Sequence, residues 1–306
     1  MLRYLPWLLV FFSCRSPSPS DAVALDSAEY LDVNGFKLFV RQLGNGDPLL
    51  VIHGGPGLDH TYLMPQLGRL GKDARLIFYD QRGCGMSGHE VDSTMMRLNV
   101  FVADIEAIRQ HLGIERIGIL AHSWGGFLAM AYAKEHPEHI SRMILMNSIP
   151  PDYTLWQKAN DALFNAFTPE QLQAITGVQQ SDAYQLGESA GYENLFRTMF
   201  RPQFANPGYA DSLTLTLQPD FETTSQLFNY MMPDMINYDF SGSLRNLKCP
   251  VMVVYGDQEV TGALAIPAFQ SINPGWEIHT LRNCGHFPYI EAFSQLEKIV
   301  VPFLAR

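Results

Sequence analysis

Charge is scarce in this sequence, and positive charge scarcest. Charged residues make up 17% of the 306 positions, with 21 Lys and Arg against 31 Asp and Glu, for a formal net charge of −10 at pH 7. A nucleic-acid partner needs a basic face for its phosphates, so this balance argues against one. Apolar residues reach 47%, enough for a sizeable core and too many for long disorder. Cysteine is nearly absent. Beyond Cys14 there are Cys84, Cys249 and Cys284, an odd number with no metal-ligand spacing, which excludes a disulfide framework and a cysteine metal site. These three read as buried free thiols, with a Cys249–Cys284 pair as the alternative in an oxidising compartment. Internal repeats are missing too. No lysine follows the glycines at 54–57, and no G-x-G-x-x-G opens a helix, so a phosphate loop is excluded.

The little charge present is unevenly placed. Residues 150–240 hold eleven acids and three bases, so −8 of the −10 falls there. At the N-terminus, Arg3 precedes an apolar run from Leu5 to Phe12, too short to span a bilayer and of the length of a signal h-region. The run ends at Ser13-Cys14, followed by the Ser/Pro tract Arg15–Ser20. Residues 1–20 resemble a bacterial lipoprotein signal and tether, cleaved before Cys14 and lipidated on that thiol. The expected location is therefore the bacterial cell envelope, with membrane attachment through lipidated Cys14. An ordinary secretory signal, giving a periplasmic or secreted protein, is the alternative.

From residue 29 to 147, strand-like and helix-like segments alternate. Apolar runs at Lys37–Val40, Leu49–His53, Leu76–Tyr79, Ile117–Ala121 and Met143–Met146 predict strands, the last four nearly continuous and so buried on both faces. Val100–Leu112 is amphipathic, with Val102, Ile105, Ile108 and Leu112 on one helical face, Asn99 and Asp104 about its first turn, and Gly113 as its stop. This rhythm is βαβ, which predicts a mostly parallel sheet. It breaks at Pro150-Pro151, where an aromatic- and methionine-rich, helix-like stretch begins. It resumes after residue 240 with a strand at Val251–Tyr255, a helix near Ile266–Ile272, a strand at Trp276–Leu281 and a helix at Leu296–Phe303. The expected organisation is one core, 21–149 with 241–306, interrupted by a helical cap at 150–240.

In Ile117-Gly-Ile-Leu-Ala-His-Ser123-Trp-Gly-Gly126 a buried strand runs through a tight turn into a helix of small residues. Ser123 sits at the corner. A serine there can cap the helix; it can also be a nucleophile. The segment resembles the G-x-S-x-G elbow of the α/β-hydrolase fold, with Ala121 in place of the first glycine. That resemblance implies an α/β fold with a mostly parallel sheet flanked by helices and an inserted cap. It also implies a triad in the order Ser, acid, His. His286, in Asn283-Cys-Gly-His-Phe-Pro-Tyr after the last strand, then fits the general base, and His122 is kept as a neighbour. Two carboxylates follow the strand 251–255. Glu259 stands three residues after Gly256, where the fold's acid usually lies; Asp257 is the alternative. The segment His53-Gly-Gly-Pro-Gly57 lets backbone amides approach a substrate oxygen, so the Gly55 and Trp124 N–H groups would form an oxyanion hole.

HGGPG at 53–57, YDQRGCGMS at 79–87 and AHSWGG at 121–126 resemble the proline iminopeptidase family. The resemblance implies a serine peptidase that removes N-terminal residues, typically proline, from a small peptide, with acidic cap residues holding the free amine. Glu188, Glu193 and Glu222 are the candidates for that task. A serine at the elbow argues against the dehalogenase and epoxide-hydrolase chemistry of the same fold, which uses a carboxylate nucleophile. The chemistry requires no metal and no organic cofactor. Two other readings stand beside the peptidase: an esterase, lactonase or amidase on a small apolar acyl substrate, and a ligand-sensing α/β-hydrolase with little turnover.

Overall fold

The computed structural model describes residues 25–306; the signal-like segment, with Cys14, lies outside them. Eight strands form one sheet: β1 (Asp26–Val33), β2 (Phe36–Leu43), β3 (Pro48–Ile52), β4 (Arg75–Tyr79), β5 (Ile117–His122), β6 (Ile140–Met146), β7 (Val251–Gly256) and β8 (Glu277–Leu281). Their order is β1-β2-β4-β3-β5-β6-β7-β8. The pairs β1–β2 and β2–β4 are antiparallel and all others parallel.

The apolar runs are continuous because the sheet is covered on both faces. Every residue of β5 and β7 is buried. Alternate residues enter two separate cores, as the period of two requires. Ile117, Ile119, Ala121, Val251, Val253 and Tyr255 pack with the helices α1 (Leu98–His111), α2 (Gly125–Glu135) and, further along the chain, Gly262–Ile272. Leu120, Met252 and Val254 face the other way, onto the C-terminal helix Phe293–Leu304. Cys84, Cys249 and Cys284 are free thiols buried in these cores, so the Cys249–Cys284 pair is not made.

Two details differ from the sequence expectation. The hairpin strand β1 precedes the expected first strand, turning through Asn34 and Gly35 at φ 55° and 80°. Its first five residues are exposed, so it carries little hydrophobic signal. The start of α1 is held from outside its own sequence. Asp234 accepts the Leu98 N–H at 3.0 Å and bonds from Arg97 Nε and Nη2, at 2.7 and 2.5 Å.

Between β6 and β7 the chain forms helices α3 (Tyr153–Asn165), α4 (Pro169–Gln179), α5 (Ser189–Phe200) and α6 (Phe221–Leu227). Asp152 caps α3 through the Leu155 N–H, and Thr168 with Gln171 forms a capping box on α4. The insertion leaves and rejoins the core at neighbouring points: Asp152 and Asp239 form an antiparallel bridge, and Tyr153 N–H donates to Tyr238 O at 2.9 Å. The two longer helices after the insertion are α7 (Gly262–Ile272) and α8 (Phe293–Leu304).

Since β3 to β8 run parallel, the loops after β3, β5, β6, β7 and β8 gather at one edge. The order reverses around β3, whose neighbours are β4 and β5, and an open α/β sheet has its crevice at such a point. Helix α2 packs tightly there: a Cβ on Gly125 would stand 2.4 Å from Ile52 O and 2.8 Å from His53 O. Gly125→Ala is therefore expected to lower stability by about 1–3 kcal/mol through forced backbone shifts. Gly177→Ala, in α4 with open space around it, should instead raise stability by up to about 1 kcal/mol. Urea midpoints at unchanged slope check both.

Candidate active site

Ser123 has φ +55°, a left-handed conformation rare for a side-chain-bearing residue and costly unless the surrounding structure holds it. The turn is pinned by Ser123 N–H to Met146 O at 3.1 Å and Gly126 N–H to Ser123 O at 3.0 Å. The helix that follows has no side-chain cap, so Ser123 does not serve as one. Its hydroxyl instead lies 3.0 Å from His286 Nε2, while His286 Nδ1 lies 2.5 Å from Glu259 Oε2. Three residues from the ends of β5, β7 and β8 thus meet in one hydrogen-bonded line. Asp257 does not join them. It is exposed, and its carboxylate accepts the Cys284 N–H at 3.1 Å.

Glu259 is 8% exposed, and a buried carboxylate is tolerable only with partners. It has four donors. His286 Nδ1 and Asn147 Nδ2, the latter at 3.1 Å, reach Oε2; the Thr261 N–H and hydroxyl reach Oε1 at 3.0 and 2.8 Å. Burial alone would raise its pKa, but the His286 charge and the hydrogen bonds from His286 and Thr261 outweigh burial and lower it from 4.5 to about 2. Asn147, at φ +42°, also donates to Gly285 O at 2.8 Å and accepts the Gly256 N–H at 3.2 Å. It ties the acid's loop to the base's loop. The sequence analysis missed Asn147 and Thr261; an asparagine directly after a buried strand was the one available signal.

The loop after β3 supplies Gly55 at φ +127°, where a Cβ would stand 2.7 Å from the Gly57 nitrogen and 2.8 Å from that of Leu58. Only glycine fits. Gly55, Trp124, Ser123 and His286 all border one cavity of about 430 Å³. Among the described residues, neither the Gly55 nor the Trp124 amide donates to a protein acceptor, which leaves both for a ligand oxygen. Below the loop, His53 Nδ1–H donates to Gly54 O at 2.9 Å and its Nε2 accepts the Gln81 N–H at 3.0 Å. Burial lowers the His53 pKa to about 4 and keeps the ring neutral. Asp80, in the Tyr79–Ser87 segment, accepts from the His60 and Met86 amides at 2.8 Å each.

The insertion roofs the cavity with an apolar wall that includes Trp156, Leu163, Phe196, Phe200, Phe228 and Met232. Its polar members, among them Asn160, Gln203, Ser225 and Asn229, are uncharged, and among the described residues no carboxylate borders the space. The expectation that Glu188, Glu193 or Glu222 lines it is corrected. Glu188 and Glu222 are exposed, Glu222 packs against Gly187, and Glu193 accepts the Leu217 N–H at 2.8 Å. Their charge is directed to solvent and backbone.

Residues 47–293 match the α/β hydrolase fold family, and the chain belongs to it. A proline iminopeptidase from Heyndrickxia coagulans is 26% identical over 286 residues, covering 90% of this chain and 97% of its own. The crystal structure of a proline iminopeptidase from Mycobacterium smegmatis superposes with a TM-score of 0.69 at 20% identity, over 91% of this chain and 98% of its own. An epoxide hydrolase shares the fold at a TM-score of 0.64 and 18% identity, over 92% and 99% of the two chains. Similarity at that level reports the fold and leaves the chemistry to the site.

Glu259→Gln should lower kcat by about three to four orders of magnitude by losing control of the imidazole tautomer; Asp257→Asn should leave it nearly unchanged. Steady-state kinetics on both variants separates the two carboxylates. Folded Glu259 also binds its proton more weakly than the unfolded chain does. It therefore adds stability above pH 4.5 that is lost as pH falls toward 2. Urea midpoints measured from pH 6 to 3 should fall less steeply for Glu259→Gln than for the wild type.

Proposed function

We propose that the protein is a serine hydrolase of the proline iminopeptidase type, releasing an apolar N-terminal residue, proline foremost, from small peptides. The observation that carries the reaction class is the single imidazole spanning Ser123 Oγ and the buried Glu259 carboxylate. Ser123 Oγ attacks the scissile carbonyl carbon as its proton passes to His286 Nε2. Glu259 holds His286 in the tautomer with its proton on Nδ1 and stabilises the imidazolium. The negative oxygen of the tetrahedral intermediate accepts from the Gly55 and Trp124 amides. Collapse breaks the C–N bond, and His286 returns the proton to the leaving amine. Water then repeats the sequence on the acyl-enzyme and frees the acid.

The peptidase form draws its support from the relatives named proline iminopeptidase along nearly the whole chain. A second reading has its own observation. The cavity is apolar and lacks a carboxylate, and a protonated amine favours a carboxylate partner. This favours an esterase, lactonase or amidase acting on a small neutral acyl group. Export to the cell envelope with lipidation of Cys14 is part of the proposal; Cys14→Ser should move the protein from the membrane fraction to the soluble one.

Hydrolysis of a proline arylamide beside a short-chain p-nitrophenyl ester tests these readings, with Ser123→Ala as control. Arylamide turnover that blocking the amine abolishes supports the peptidase. Cleavage of the ester alone moves the assignment to the second reading. Saturable binding of either compound without turnover identifies the ligand-sensing alternative. Full activity in Ser123→Ala removes the nucleophile.

A further inference from the structure

His122 precedes the nucleophile and is 1% exposed. Its ring turns beneath the elbow, among the rings of Tyr62, His286, Phe287 and Tyr289, at centroid distances of 5.7, 5.0, 5.8 and 5.4 Å. Three hydrogen bonds run through it. Gly54 N lies 2.7 Å from the Tyr62 hydroxyl, that hydroxyl 2.8 Å from His122 Nδ1, and His122 Nε2 2.8 Å from His286 O. Tyr62 is equally buried, at 2%.

Donor and acceptor chemistry gives this chain one direction. The carbonyl of His286 only accepts, so His122 must carry its proton on Nε2. Nδ1 is then an acceptor and takes the Tyr62 proton. The phenol oxygen in turn accepts from Gly54 N–H. Burial lowers the His122 pKa to about 3, so the ring stays neutral with this single proton throughout the neutral range. The opposite tautomer would set a bare nitrogen against a carbonyl oxygen.

The two ends of the chain are the two loops that must converge on Ser123. Gly54 adjoins Gly55, which borders the cavity and whose amide has no protein acceptor among the described residues, and His286 carries the imidazole. No covalent or strand pairing links those segments directly, since β3 and β8 lie four places apart in the sheet. The geometry points to Tyr62 and His122 as positioning residues that set the distance between the Gly55 amide and the His286 ring across Ser123. This rests on the acyl-enzyme reading above. Removing the Tyr62 hydroxyl leaves the Gly54 N–H and His122 Nδ1 both unpaired, so the loop after β3 loses its tie to the ring that holds His286 O. One atom thus uncouples the two loops, and small misplacements of reacting groups carry large rate penalties.

The test uses the full chain as wild type, Tyr62→Phe, His122→Asn and the double variant. The readouts are p-nitrophenyl acetate kinetics, thermal midpoints, and the rate of Ser123 labelling by a fluorophosphonate followed by intact mass. Tyr62→Phe keeps the ring and its packing. The expected result is a fall in kcat and in labelling rate of about 10- to 100-fold, with KM within about threefold and the folded fraction unchanged. The double variant should be no slower than the poorer single variant, because both break one chain. The inference is overturned if kcat stays within about threefold of wild type, if the loss lies in KM, if the two losses multiply, or if they vanish on correction for unfolded protein. Should His122→Asn fail to fold, Tyr62→Phe alone decides. A wild-type Ser123 that neither labels nor turns over ester removes the acyl-enzyme reading and this inference together. A reactive Ser123 with unchanged Tyr62→Phe kinetics removes only the inference.

Discussion

The close approach of Gly125 to the Ile52 carbonyl is the constraint on which the site's geometry rests. It lets α2 begin hard against the end of β3, which leaves the chain two residues, Ser123 and Trp124, in which to turn out of β5. Trp124 is already helical, at φ −51° and ψ −35°, so the turn falls on Ser123, with its positive φ. The same approach places the loop after β3 beside the elbow, so the hydroxyl and two unpaired amides border a single cavity.

The electrostatics divide cleanly between the two sides of the imidazole. Behind it, a buried carboxylate is held ionised by four donors from three segments. In front of it, the cavity is apolar and without a carboxylate. Charge is thus concentrated where it controls the imidazole and withheld from the space where an acyl group would lie. The acidic insertion does not alter this, since its three glutamates considered for amine binding face solvent, a glycine or a backbone amide.

Much of this could be read from the sequence, for a physical reason. Strands buried on both faces are uninterrupted apolar runs, and β3 to β7 stand out for that. The elbow was legible because its sterics demand small residues at fixed places. Other parts had no local signature. β1 is exposed over most of its length; its only mark is the Asn34-Gly35 pair, a turn signal that could have been used. Asp257 and Glu259 are two residues apart and equal in composition terms; only the turn after Gly256 sends one to solvent and the other inward. Asn147, Thr261 and Tyr62 act through partners more than a hundred residues away or across the sheet, or through a bond whose worth depends on burial. The acidity of residues 150–240 was plain, but a net charge carries no direction.

The bridge between Asp152 and Asp239 has a consequence for how such a protein can diversify. Since the insertion leaves and returns at adjacent backbone positions, its two ends are already joined by the core, and the chain between them closes a loop whose entropic cost rises only slowly with length. The sheet's register does not depend on what lies beyond that junction. The roof of the cavity can therefore vary in length between those two points, provided it keeps its contacts with the core, Asp234 on Arg97 and the Gln203 carbonyl on the His286 N–H. The roof is in this way free in its length and constrained at the loop that carries His286.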